Sequence, residues 1–156
     1  MTSSQRPLII LLVEDSPDDA FFFHRAVHKS GLSAVTHMAA DGVEAMDYLL
    51  NKGRFADAAA HPAPDIMFLD LKLPHVNGFE VLEWMREHAE CPRPPVVVLT
   101  SSSQPEDQER AEALGAALFL TKPPAPEQLR EAVQRCPSLQ AEANGGERGI
   151  RTPGAV

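Results

Sequence analysis

The chain has 156 residues, 44% of them hydrophobic and 23% charged, enough for one soluble domain with a single buried core. Its 14 Lys and Arg against 22 Asp and Glu leave a net charge of -8, which speaks against nucleic acid or anionic lipid as a partner held through phosphates. The longest apolar run, Leu8 to Val13, is too short to span a membrane and meets Glu14-Asp15 where a signal peptide needs small residues, so a cytoplasmic location is expected.

Residues 1 to 7 read as a short extension. Leu8 to Val13 is a first strand, and Ser16-Pro17-Asp18-Asp19 supplies an N-cap, a first-turn proline and first-turn acids for a helix carrying Phe21, Phe22, Ala26 and Val27. Ala34 to Met38 predicts a second strand. Asp41-Gly42-Val43-Glu44 resembles a capping box and opens a helix through Tyr48 and Leu50, followed by a long connection from Asn51 to Pro64. Ile66 to Asp70 is the third strand. Asn77-Gly78-Phe79-Glu80 starts a helix with Phe79, Leu82 and Met85 at helical spacing and Val81 beside them, ending before Pro92. Pro95 to Thr100 predicts a buried fourth strand, and Ser103-Gln104-Pro105-Glu106 caps a helix that stops at Gly115. Ala116 to Leu120 is the fifth strand, and Pro126-Glu127 opens a last helix with Leu129 and Val133 facing inward.

Five strands alternating with amphipathic segments predict an α/β domain over residues 8 to 136, built from (βα)5 units on a parallel sheet. The tail 137 to 156, rich in glycine and poor in large apolar residues, is expected to be disordered. It holds two acids and two bases, so the acidic excess, 20 against 12, lies in residues 1 to 136. Cys91 and Cys136 have no ligand-like spacing, and neither a disulfide framework nor a zinc site is expected.

Ligands of open parallel α/β sheets bind outside the carboxyl ends of the strands. Here strand one ends in Glu14-Asp15, strand three in Asp70, strand four in Thr100-Ser101 and strand five in Thr121-Lys122. Each has a plain reading on its own: helix-terminal charge for the acid pair, a loop acid for Asp70, a capping hydroxyl for Thr100, a solvated ammonium for Lys122. Together they crowd three carboxylates against one lysine, and crowding raises carboxyl pKa values unless another cation joins. Oxygen-only donors with room for water and a phosphoryl group suit Mg²⁺. With a hydroxyl and an ammonium nearby, that set fits phosphoryl transfer to a carboxylate, with Asp70 as nucleophile and Thr100 and Lys122 stabilising the phosphoryl oxygens.

The chain resembles the receiver domain of two-component response regulators from about Leu8 to Arg135. The resemblance is carried by Glu14-Asp15, by Phe68-Leu69-Asp70-Leu71-Lys72-Leu73-Pro74 with Gly78 after it, by Val98-Leu99-Thr100-Ser101, and by Thr121-Lys122-Pro123. It implies a flavodoxin-like doubly wound five-stranded sheet of strand order 2-1-3-4-5. It implies that Asp15, Asp70 and the backbone carbonyl of Lys72 coordinate Mg²⁺, with Mn²⁺ as a substitute, and that Glu14 acts through a water. Asp70 is then phosphorylated from a phosphohistidine of a sensor histidine kinase, with Thr100 and Phe119 as the switch pair and a cis Lys122-Pro123 peptide. Phe119 lacks a hydroxyl and can turn inward without a hydrogen-bond cost. Glu14 stands where an Asp is more usual, and Lys72 adds a cation beside the site. The long connection 51 to 64 and Cys91-Pro92-Arg93-Pro94-Pro95 resemble stand-alone regulators of bacteriophytochrome-type kinases, which implies a homodimer through helix 4, strand 5 and helix 5 and an unknown downstream protein.

Three alternatives are weighed against this. A metal-dependent aspartyl-phosphate phosphohydrolase resembling the haloacid dehalogenases wants a second acid two residues after a first-strand nucleophile, where this chain has Lys72. A flavodoxin-like phosphate-cofactor module wants a Gly- and Ser-rich loop after strand one, where Glu14-Asp15 repels phosphate. A phosphorylation-independent receiver-like binding module needs none of these side chains.

Overall fold

A computed structural model describes residues 6–88, 93–101 and 104–136. The elements, in order, are β1 (Leu8–Val13), α1 (Pro17–Ser30), β2 (Ala34–Ala39), α2 (Gly42–Leu50), β3 (Ile66–Leu69), α3 (Gly78–Glu87), β4 (Val96–Thr100), α4 (Pro105–Ala113), β5 (Leu118–Thr121) and α5 (Pro126–Gln134). All strand pairs are parallel and their order is β2-β1-β3-β4-β5.

The unbroken apolar runs exist because both sheet faces are covered. Ile10 and Leu12 of β1 face Phe23, Ala26 and Val27 of α1 and Leu129 of α5. Leu11 and Val13 face the other core with Tyr48 of α2, Val81 and Leu82 of α3 and Ala111 of α4. Burying one such aliphatic side chain contributes about 1.5–3 kcal/mol, which is why alternation would weaken rather than define these strands.

Ser16 caps α1 by accepting the Asp19 N–H, and Gly31, at φ 81°, ends it in the left-handed conformation that favours glycine. Of three consecutive phenylalanines only Phe23 enters the core; Phe21 and Phe22, expected on the apolar side, are exposed at 60% and 46%. At 100° per residue one helix stripe takes Phe23, Ala26, Val27 and Ser30, and the preceding two rings fall outside it.

The connection after α2 contains a single 3-10 turn, Gly53–Phe55, that periodicity did not predict. Phe55 is buried against Tyr48, whose hydroxyl donates to the Pro62 carbonyl; burial pushes that phenol up to about 12. α3 has the Asn77/Glu80 capping box and buries Val81, Leu82 and Met85. It ends at Glu87, and Pro92 lies outside the described residues, as does the expected cap Ser103; Gln104 takes the N-cap of α4. β5 begins two residues later than expected because the Ala116 N–H still closes α4 on the Ala111 carbonyl, and Ala117 then pairs with Val96. In α5, Leu129 and Ala132 are buried, Val133 is half-buried, and Arg130 donates to the Ser30 carbonyl of α1. Tail residues 137–156 lie outside the described residues. Among the described residues no helix is long and apolar enough to cross a membrane.

Candidate functional site

Strand pairing delivers the polar residues to one edge. Val13 is in register with Leu69, and Thr100 with Thr121. The ladder continues one residue further, with Asp70 N–H on the Val13 carbonyl at 3.1 Å and Lys122 N–H on the Thr100 carbonyl at 2.9 Å. These bonds fix the backbones of both residues independently of their side chains. Gly78 lets the loop after β3 close over them: a β-carbon there would lie 2.5 Å from the Asp70 carbonyl oxygen, and its N–H bonds the Leu71 carbonyl.

Glu14, Asp70 and Thr100 are buried, whereas Asp15 is exposed at the rim. The Lys122 ammonium lies 2.8 Å from Glu14 Oε1, 2.8 Å from Asp19 Oδ2 and 3.0 Å from Asp70 Oδ2, a full set of partners for its three N–H bonds. Asp70 Oδ1 accepts the Lys72 N–H at 3.1 Å, and Glu14 Oε2 accepts the Ser16 N–H at 3.2 Å. Phe22, Phe23, Leu99 and Pro123 wall the ammonium on the apolar side. The Lys122-Pro123 peptide is cis.

The electrostatics follow from the crowding. Burial raises the Glu14 pKa, the negative charge of Asp70 adds to it, and bonds from Lys122 and the Ser16 N–H oppose it only in part. Lys122 runs the other way: burial works against its charge, but hydrogen bonds to Asp19, Glu14 and Asp70 outweigh burial and hold its pKa above the ordinary lysine value. Three carboxylates thus share one ammonium, with Asp15 exposed beside them.

Carboxylate oxygens of Glu14, Asp15 and Asp70 lie within 4.8 Å of one another. An all-oxygen set with one exposed member fits a hard divalent cation that keeps some of its waters.

Glu14, Asp15, Asp70 and Lys122 therefore come together as expected, and Thr100 ends the neighbouring strand. The Lys72 residue is exposed, its N–H on Asp70. Phe119 stands apart from the carboxylates, half-buried against the core beneath α2, α3 and α4; its register partner is Val98, two residues before Thr100 on the same face of β4. Asp19 was not among the expected site residues. Its only sequence signal is the density of acids in Glu14-Asp15-Ser16-Pro17-Asp18-Asp19.

The model of the response regulator receiver domain matches residues 10–134. Among curated relatives, the probable methanogenesis regulatory protein FilR2 of Methanothrix harundinacea is 35% identical over 84% of this chain and 82% of its own. The response regulator Rcp1 of Synechocystis is 33% identical over 89% and 92%. Among solved structures, the bacteriophytochrome response regulator AtBRR superposes with a TM-score of 0.72 at 38% identity, covering 83% of this chain and 92% of that one. The phosphorylated cyanobacterial phytochrome response regulator RcpA gives 0.68 at 33%, over 81% and 89%. Mn²⁺-bound Rcp1 gives 0.67 at 29%, over 94% and 99%. The chain belongs to the response regulator receiver domain family.

Proposed function

We propose, from this membership of the receiver family, that the protein is a phospho-acceptor in which Asp70 takes a phosphoryl group from a sensor histidine kinase. The observation that carries the reading is the placement of Asp70: a buried carboxylate at the end of the central strand, bonded to Lys122 and within 4.8 Å of the Glu14 and Asp15 oxygens. An Asp70 oxygen attacks phosphorus as the phosphorus–nitrogen bond of a phosphohistidine breaks, and the imidazole leaves with the electron pair and takes a proton. The product is an acyl phosphate on Asp70.

Each residue has a role in that step. Lys122 places its ammonium against the phosphoryl oxygens, and Thr100 offers a hydroxyl to one of them. Glu14 (through a water), Asp15, Asp70 and the Lys72 carbonyl would hold Mg²⁺, or Mn²⁺ in its place. Bound there, the cation would neutralise charge on the transferring group. Thr100 pairs with Thr121, and Phe119 pairs with Val98, two residues earlier on the same face of β4, a placement that supports Thr100 and Phe119 as the switch, with the hydroxyl drawn toward the phosphoryl group and the ring filling the space behind it. Hydrolysis of the acyl phosphate by the same residues returns the resting state, and no other substrate is turned over.

The similarity to AtBRR, RcpA and Rcp1 supports a phytochrome-type kinase as phosphodonor and a stand-alone regulator of residues 8 to 136 working in the cytoplasm. A homodimer through α4, β5 and α5 is supported by β5 being a sheet edge whose Leu118, Phe119 and Leu120 are only half-buried. Its signal would pass to a downstream protein through that changed surface.

Incubation with acetyl phosphate and Mg²⁺ and resolution on a phosphate-affinity gel tests the reading. A retarded band is expected for the native chain and none for Asp70→Asn. Equal mobility of the two would overturn it in favour of a phosphorylation-independent binding module. Transfer from a phosphorylated phytochrome-type kinase in the same assay tests the donor.

A further inference from the structure

We propose that Asp19 is a positioning residue that anchors the Lys122 ammonium on α1, so that Glu14 and Asp70 are released to a divalent cation without losing the lysine. The proposal rests on the phospho-acceptor reading above and adds a residue to it.

In this structure the three N–H bonds of Lys122 go to Glu14, Asp19 and Asp70. Two of those acceptors also belong to the carboxylate group able to hold a metal; Asp19 does not. A cation entering that group repels the ammonium and competes for Glu14 and Asp70, so the bond to Asp19, at 2.8 Å, is the one contact that metal binding leaves in place. Without it the ammonium has no acceptor except the ligands themselves, and it stays in competition with the metal.

The chain fixes Asp19 for this task. Ser16 sits between the two roles, its N–H donating to Glu14 Oε2 and its hydroxyl accepting the Asp19 N–H. Pro17 restricts the turn between them. The Asp19 side chain is 40% exposed against 3% for Glu14, so it carries its charge at the rim without the desolvation that burdens Glu14. Asp18 provides an internal comparison. It carries the same charge in the same first turn of α1, where both favour the helix dipole, but it is exposed and is not one of the Lys122 partners.

Mg²⁺ titration calorimetry on the native chain, Asp19→Asn, Asp19→Ala, Asp19→Glu and Asp18→Asn separates the contact from the charge. Asp19→Asn and Asp19→Ala should raise the Mg²⁺ Kd about three- to ten-fold, Asp18→Asn by less than about two-fold, and Asp19→Glu should stay near the native value. In acetyl phosphate labelling, the Mg²⁺ concentration for half-maximal rate should move with the Kd. Equal shifts in Asp19→Asn and Asp18→Asn would overturn the proposal, as would a fallen plateau rate with unchanged Mg²⁺ affinity. A native chain that neither binds Mg²⁺ nor labels on Asp70 would instead overturn the phospho-acceptor reading, and the proposal with it.

Discussion

The sheet holds a carboxylate–cation pair at each of its two edges, and the two are built on opposite principles. At the amino edge, Asp65 precedes β3 and receives a fork from Arg6, at 2.7 and 2.8 Å, together with the Ile9 N–H at 2.8 Å. At the carboxyl edge, Asp70 follows β3 and shares one ammonium with Glu14 and Asp19. Side-chain exposure is similar, 12% for Asp65 and 7% for Asp70, so burial does not separate them. Stoichiometry does. One edge has a cation for its carboxylate and clips β1 to β3; the other is short of positive charge, a deficit that suits it to a divalent cation.

The largest break in this contrast comes from removing the Lys122 ammonium that those carboxylates share. Lys122→Met leaves Glu14 and Asp70 buried with only the Ser16 and Lys72 N–H groups bonded to them, a loss of about 2–4 kcal/mol in urea unfolding without divalent metal. Added Mg²⁺ should recover part of that loss, since it supplies the missing charge. A variant as stable as the native chain in EDTA would show that the carboxylates are not in competition for a cation.

Next in size is Asp65→Asn, which removes a fully paired carboxylate and leaves Arg6 and the Ile9 N–H with a poorer acceptor, a loss of about 1–3 kcal/mol. The pH dependence has a definite sign. Burial works to raise the Asp65 pKa, but the bonds from Arg6 and the Ile9 N–H outweigh it and hold it below the ordinary value of 3.8. Its contribution is therefore present above the unfolded pKa and is lost as pH falls through the lower folded one. Glu14 is raised from 4.5, so its contribution is complete below that value and is lost as pH rises through the folded pKa. Unfolding measured from pH 7 down to pH 3 should show Asp65→Asn losing the acid-side decline, whereas Glu14→Gln loses the gain that appears on first acidification.

Asp70→Asn should act in the opposite direction to Asp65→Asn, stabilising the metal-free protein by about 1 kcal/mol because it removes one of the charges that raises Glu14. Millimolar Mg²⁺ should raise the melting temperature of the native chain and leave that of the variant nearly unchanged. Stabilisation of both to the same extent would place the metal elsewhere.

What the sequence disclosed about these edges depended on whether a residue's role is written along the chain or across it. Leu8 to Val13 and Val96 to Thr100 were legible because strands covered on both faces are continuous apolar runs, and the polar residues that interrupt them mark the carboxyl edge without any knowledge of contacts. Asp19 was not, because its partner lies 103 residues away and helix position alone gives it the same plain reading as Asp18. The phenylalanines of α1 were misread in the same way: the sequence reading took Phe21 and Phe22 for the helix's apolar residues, and only the rotation of the helix against β1 and β3 selects Phe23, which packs on Phe68 at 4.9 Å. The turn at Gly53–Phe55 exists because Phe55 finds Tyr48, again a tertiary choice.

Backbone strain repeats the contrast between the edges on a smaller scale. Among the described residues, positive φ in the loops that return from helices toward the amino edge falls on Gly31, Gly53, Gly115 and Asn51, residue types that tolerate it. The loop leaving β3 at the carboxyl edge instead places His75 at φ 67°, held by the Val76 N–H on the Pro74 carbonyl and by a long 3.4 Å contact to Asp41. His75→Gly removes the cost of a β-carbon in that conformation and gives back part of it through a more flexible unfolded chain, a net gain of about 0.5 kcal/mol. Because the same loop closes through Gly78 onto the Asp70 carbonyl, relief at His75 should loosen the approach to the acceptor without touching any charge. The expected signature is a small rise in melting temperature with the Mg²⁺ Kd unchanged. A weaker Mg²⁺ affinity in His75→Gly would mean that the strained loop, and not charge alone, sets the geometry of the carboxylates.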